Sequence, residues 1–108
     1  MKKKEVVKKK EEFNTIIKNC PYKKNRYFTI YIRKRELSKP CFGLAISKKV
    51  GNAVTRNRLK RQVRAIVDKN KVIFSKSCDY IIMIKKDCVD ASFQEMEKYM
   101  IEIIKEIK

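Results

Sequence analysis

Seven cations crowd the stretch from Ala45 to Val67, AISKKVGNAVTRNRLKRQVRAIV: Lys48, Lys49, Arg56, Arg58, Lys60, Arg61 and Arg64. No Asp or Glu occurs between Glu36 and Asp68, so nothing nearby in the chain neutralises them. Within the Arg-Asn-Arg-containing half arginine outnumbers lysine, and the guanidinium fork makes bidentate phosphate contacts that an ammonium cannot. The chemistry these residues suit is the binding of a phosphate polyanion.

A helix must position them. Gly51-Asn52 supplies a turn expected to tolerate positive φ, and from about Ala53 the apolar residues Leu59, Val63, Ile66 and Val67 recur at helical spacing. At about 100° per residue, Arg56, Lys60 and Arg64 line up beside that stripe, with Asn57 and Arg61 next to them and Arg58 further round. Like charges at i,i+4 repel. A helix that needs only solubility mixes signs, so an all-cation face implies a missing counter-charge. The competing reading is a merely solvated basic face.

The whole chain leans the same way. Its 108 residues make one domain's worth, with a formal net charge of +17. Such a charge points to nucleic acid first and to an anionic membrane surface second. Apolar runs such as Tyr80 to Ile84 are far too short to span a bilayer, and no apolar segment follows the basic start, so the expected location is cytoplasmic. Cys20, Cys41, Cys78 and Cys88 are irregularly spaced and the chain has no histidine, which favours free thiols over zinc or a disulfide scaffold. Independent phosphodiester hydrolysis needs a general base, a nucleophile or a carboxylate cluster for metal. Asp68, Asp79, Asp87 and Asp90 lie outside the basic motif without metal-ligand spacing, so no catalytic residue and no metal site is assigned.

Residues 1–9 read as a basic flexible tail and residues 10–108 as a single nucleic-acid-binding domain. Glu11 to Lys18 form a short helix with Phe13, Ile16 and Ile17 on one face, ended by Pro21 and a turn-rich link with room for a short edge strand. From Arg26 to Arg33 the residues alternate. Phe28, Ile30 and Ile32 face one way; Tyr27, Thr29, Tyr31 and Arg33 face the other. In the strand from Cys41 to about Lys48, Phe42, Leu44 and Ile46 are bulky, while Cys41, Gly43, Ala45 and Ser47 are small enough to floor a groove. A linker with Ser75 and Ser77 leads to the apolar run Asp79 to Lys85, which suits a central strand covered on both faces. The last helix starts near Ser92, with Glu95 at capping-box spacing and a stripe of Phe93, Met96, Met100, Ile103, Ile104 and Ile107. Its outer face mixes Glu97, Lys98, Glu102, Lys105 and Glu106, as a merely solvated helix should. The expected fold is an α+β two-layer sandwich in the order αβββαβα, with a mostly antiparallel four-stranded sheet and flanking helices.

The run SKKVGNAVTRNRLKRQVR, Ser47 to Arg64, resembles the signature of bacterial ribonuclease P protein subunits, whose Arg-Asn-Arg motif falls on Arg56, Asn57 and Arg58. A looser correspondence runs in register from about Lys10 to the end. The resemblance implies a left-handed crossover around the basic helix, and hydrolysis carried out by an RNA subunit with magnesium ions that the RNA mainly binds. It further implies that Lys48, Lys49, Asn52, Arg56, Asn57, Arg58, Lys60, Arg61 and Arg64 dock on that catalytic RNA. Asn57 could instead be a surface spacer. A cleft for the 5′ leader of precursor tRNA would fall at Phe13, Ile17, Phe28 and Tyr31; alternation sends Phe28 to the core and sets Tyr27 beside Tyr31, so the expected leader-binding set is Phe13, Ile17, Tyr27 and Tyr31. Ile17 stands where that family commonly has an aromatic residue, and both Phe13 and Ile17 could serve as core. The expected partners are ribonuclease P RNA and precursor tRNA, with no membrane and no obligate protein partner. The alternative is a noncatalytic RNA-binding protein of the ribosome or its assembly, which would need only the phosphate contacts.

Overall fold

The computed structural model describes residues 17, 18, 20–34, 41–74 and 78–107, without the side chain of Ile107. The basic start over 1–9, Phe13 and most of the first expected helix lie outside the described residues. Ile17 and Lys18 are helical.

Four strands, β1 (Tyr22–Lys24), β2 (Phe28–Lys34), β3 (Cys41–Ile46) and β4 (Cys78–Ile84), pair in the order β1-β2-β4-β3. β2 runs antiparallel to both β1 and β4, whereas β3 and β4 are parallel, so the sheet is mixed. A parallel pair needs a crossover. Here it contains helix α1 (Ala53–Lys69), between β3 and β4. Helix α2 (Phe93–Ile107) closes the chain.

Strand alternation divides the sheet into two faces. On one, the register aligns Ile32 with Tyr80 and Phe42, Ile30 with Ile82 and Leu44, and Phe28 with Ile84 and Ile46. Both helices pack there, α1 burying Leu59, Val63, Ile66 and Val67, and α2 burying Met96, Met100, Ile103 and Ile104. Phe74, which sequence placed in a linker, is buried against Phe42 and Tyr80 at ring-centroid distances of 4.9 and 5.1 Å. The opposite face carries Thr29, Tyr31, Arg33, Asp79, Ile81, Met83, Cys41, Gly43 and Ala45. β4 is apolar on both faces: Tyr80, Ile82 and Ile84 lie under the helices, and on the other face Ile81 is enclosed by its neighbours Ile17, Cys20, Tyr31, Cys41 and Met83.

The helix starts are fixed locally. Asn52 caps α1, its side-chain oxygen accepting from the Thr55 amide at 2.9 Å. Ser92 and Glu95 make a reciprocal box before α2: the Glu95 amide donates to Ser92 Oγ at 3.1 Å and the Ser92 amide to Glu95 Oε1 at 3.3 Å. The expected positive φ at Gly51-Asn52 is not found. Gly51 has φ 167°, ordinary extended backbone, and Asn52 has φ −71°. Space at Gly51 is tight: a Cβ would lie 3.1 Å from Thr55 Cγ2 and 3.2 Å from Thr55 Cβ, so Thr55 would have to give by a few tenths of an ångström to admit one.

Candidate nucleic-acid interface

Because β3 and β4 are parallel, their C-terminal ends lie side by side, and the segments that leave them meet. The turn Lys48–Val50 follows β3, the turn Lys86–Asp90 follows β4, and both touch each other and α1. This junction gathers the cations of the sequence motif. Lys48 and Lys49 are exposed on the first turn, which Ser47 caps through its hydroxyl to the Lys49 amide at 3.2 Å. Asn57, Arg61 and Arg64 are exposed along α1; Arg56, Arg58 and Lys60 are half-buried beside its apolar stripe.

The motif residues do not all present themselves to solvent in the same way. Arg56 Nε donates to the Gly51 carbonyl at 3.1 Å, bracing the turn that starts the helix. Arg58 Nη2 donates to the Val89 carbonyl at 3.2 Å, tying α1 to the Lys86–Asp90 turn. Asn52, exposed at the helix start, accepts the Thr55 amide on its Oδ1 and keeps its side-chain NH2 donors without a hydrogen-bond partner among the described residues. These bonds fix where the cations stand without removing their charge.

Ion pairing separates the two ends of α1. At its C-terminal end Lys69 pairs with Glu97 of α2 at 3.3 Å, and Lys71 just beyond pairs with Asp68 at 3.6 Å. Glu97 also accepts from Asn70 Nδ2 at 3.0 Å; that bond first, and Lys69 after it, hold its carboxyl below the usual glutamate range. Among the described residues, none of Lys48, Lys49, Arg56, Arg58, Lys60, Arg61 and Arg64 sits in an ion pair. The uncompensated charge is therefore confined to the start and middle of the helix.

The second surface is the open sheet face. Tyr31 is half-buried there and packs, with Ile17, Cys20, Cys41 and Met83, against the wholly buried Ile81. Ile17 therefore stands on the face where the sequence placed it, against Ile81. Phe28 is fully buried beneath the helices. At one end of the floor Arg33 donates from Nε and Nη2 to Asp79 Oδ2 at 3.0 and 2.6 Å, with the Asp79 side chain wholly buried.

Tyr27 does not belong to this face. Only 3% exposed, it meets Tyr99 of α2 edge-on at 4.6 Å and donates its hydroxyl to Glu95 Oε2 at 3.1 Å. The cause is Asn25, whose Oδ1 accepts from the amides of Tyr27 and Phe28 at 3.0 and 3.1 Å and whose Nδ2 donates to the Tyr99 carbonyl at 2.9 Å. That turn bends the chain before β2 begins, so the alternation that sequence extended back to Tyr27 stops at Phe28. Burial, and after it the bond to Glu95, push the Tyr27 hydroxyl above its ordinary pKa. In its place the register brings Tyr22 opposite Tyr31, with ring centroids 5.2 Å apart. Sequence carried only a weak signal for Tyr22, an aromatic between Pro21 and two lysines.

All four cysteines are free thiols. Cys88 is buried, donates to the Tyr27 carbonyl at 3.2 Å, and is pushed up to about 12 by desolvation. Among the described residues no three Cys, Asp or Glu side chains converge to hold a metal ion, and no helix is long and apolar enough to cross a membrane.

Comparison with known proteins gives this arrangement a family. A family profile described as Ribonuclease P matches residues 1–108. The ribonuclease P protein component of Mycoplasma capricolum is 41% identical, with both chains covered completely, and that of Bacillus cereus is 37% identical over 97% of this chain and 92% of its own. Among solved structures, the RNase P protein from Thermotoga maritima superposes with a TM-score of 0.88 at 27% identity, covering 96% of this chain and 98% of that one. The Staphylococcus aureus RNase P protein gives 0.87 at 28% identity, covering 96% and 95%. With an unpaired arginine-rich helix face on one side of a mixed sheet and an aromatic floor on the other, the chain belongs to the ribonuclease P protein family.

Proposed function

We propose that this chain is the protein subunit of ribonuclease P, docking through its cationic helix on the enzyme's RNA and holding the 5′ leader of precursor tRNA on the open sheet face. By doing both it favours endonucleolytic removal of the leader to give the mature tRNA 5′ end. The observation that carries the reading is the placement of charge: the cations from Lys48 to Arg64 stand without ion-pair partners while Lys69 and Lys71, on the same stretch of chain, are paired. A folded RNA supplies the phosphates that would complete them.

The chemistry belongs to the RNA on this reading, with magnesium ions bound mainly there to stabilise charge on the reacting phosphate. Among the described residues, Asp68, Asp79 and Asp87 are engaged in ion pairs with Lys71, Arg33 and Arg26 respectively, and no three carboxylate or thiol groups converge. The leader's single-stranded bases can stack on Tyr31, with the apolar floor around Ile81 beneath them, in a manner tolerant of sequence. Phe13 remains part of the proposed leader wall, although it lies outside the described residues. A cytoplasmic location goes with these RNA partners.

The test is cleavage of precursor tRNA at low magnesium by a bacterial ribonuclease P RNA, with and without the protein. Stimulated release of a mature 5′ end, with no cleavage by the protein alone, is the expected result. Absence of stimulation in several compatible RNAs, despite tight general RNA binding, would transfer the protein to the ribosomal reading. Within the holoenzyme, Tyr31→Ala should weaken precursor tRNA binding by the worth of one stacked base, about 1–3 kcal/mol, and leave mature tRNA unaffected. Equal losses for both RNAs would remove Tyr31 from the leader site.

A further inference from the structure

We propose that the edge strand β1 is a second nucleotide site, where Tyr22 stacks a leader base next to the one on Tyr31 and Lys24 takes the adjoining phosphate. The inference rests on the leader reading of the open face and extends it outward by one strand.

Tyr22 is 51% exposed, whereas Tyr27, Phe28, Phe42, Phe74 and Tyr80 are nearly or wholly buried. Its position is not accidental to the cleft. The register sets Tyr22, Tyr31, Ile81 and Gly43 in one row across the four strands. Along that row the floor rises from a glycine, through an aliphatic side chain, to two tyrosines at the β1 edge. The rings are inclined at 45° with centroids 5.2 Å apart, so they form a step and not a closed stack, and Tyr22 keeps much of its surface open to solvent. Neighbouring strands lie about 4.8 Å apart, which puts the two rings within reach of consecutive bases.

Lys24 supplies the second half of the argument. Two residues along β1, it shares Tyr22's face and lies opposite Thr29. It is exposed, and among the described residues no carboxylate pairs with it. An aromatic ring and an unpaired cation on one face of an exposed strand is the combination that binds single-stranded nucleic acid, the ring taking a base and the cation the backbone. A cross-strand tyrosine pair stabilises the β1–β2 pairing and a lysine guards an edge strand against further pairing, but neither role calls for a half-exposed ring beside an unpaired cation, which a nucleotide would use. A duplex is a poor occupant because its bases are already stacked on one another. The leader is the single strand that the adjoining Tyr31 site already calls for.

The experiment measures holoenzyme affinity for precursor tRNAs whose leaders shorten one nucleotide at a time, alongside mature tRNA. Tyr22→Leu, which keeps apolar bulk on the strand but has no π-face, should weaken long-leader binding by about fivefold or more. The deficit should vanish once the leader is too short to reach β1. Tyr22→Phe should bind as the parent does, and Lys24→Ala should lower the salt slope for long leaders by about 0.7. Loss of affinity shared by mature tRNA, or no loss at any leader length, would overturn the β1 site. Tyr31→Ala run in parallel separates the two levels. If it discriminates precursor from mature tRNA while Tyr22→Leu does not, only the β1 proposal falls; if neither discriminates, the leader reading falls with it.

Discussion

Arg58 and Arg61 stand three residues apart in α1 and carry the same charge, yet their substitution should not read alike. Arg61 is exposed, so Arg61→Ala should remove a phosphate contact, lowering the salt slope of RNA binding by about 0.7–0.9, and should not lower the melting temperature of the free protein. Arg58 is half-buried and holds the Val89 carbonyl. Arg58→Ala should lower the slope similarly and also lower the melting temperature by roughly 4–8 °C, the equivalent of about 1 kcal/mol for a hydrogen bond in a domain of this size. Salt titrations and thermal melts of the two variants check this, and identical melting behaviour would deny Arg58 its bracing role. The distinction was not legible in the sequence, where periodicity places a residue on a helix face but cannot show which carbonyl of another turn comes within its reach.

At the scale of elements, what sequence disclosed was what period and length could encode. The buried stripes of α1 and α2, the alternation of Phe28, Ile30 and Ile32 in β2, and the unbroken apolar β4 all follow patterns of several repeats. β1 has three residues, too few to show a period, so Tyr22 emerged only from its pairing with Tyr31. Tyr27 was misplaced because the Asn25 turn interrupts the alternation, a long-range device that includes the Tyr99 carbonyl. The Ser92–Glu95 box was readable from spacing, and it makes a pH prediction. The Ser92 amide first, then the Tyr27 hydroxyl, hold the Glu95 carboxyl below its ordinary pKa. A carboxyl depressed in the folded state contributes stability that is complete above its unfolded value, about 4.3, and is lost as pH falls through the lower folded value. Glu95→Gln should therefore narrow its stability difference from the parent as acid is added below about pH 4.3. Chemical denaturation at a series of pH values measures it, and a gap that widens in acid would contradict the assignment.

For the molecule as a whole, a net charge of +17 sets two electrostatic effects against each other. Repulsion among the unpaired cations of α1 and its neighbouring turn destabilises the free protein, and salt relieves it. The exposed Arg26–Asp87 and Lys69–Glu97 pairs act in the opposite sense, but exposed pairs are individually weak. Repulsion should win, so the melting temperature of the RNA-free protein should rise as sodium chloride is raised from about 10 to about 150 mM. A fall would mean that the surface pairs dominate. The strand order carries a different consequence, one of timing. β4 is the last strand in the chain but lies between β2 and β3, which have no direct pairing. The cationic helix is thus synthesised before the central strand that joins the two halves of the sheet behind it. Until the chain has passed Ile84, α1 is a run of like charges without its complete core, and closing the sheet must bring together segments far apart in sequence. On the proposed reading, the surface that α1 offers to RNA is complete only after the last strand has been made, late in the life of the chain.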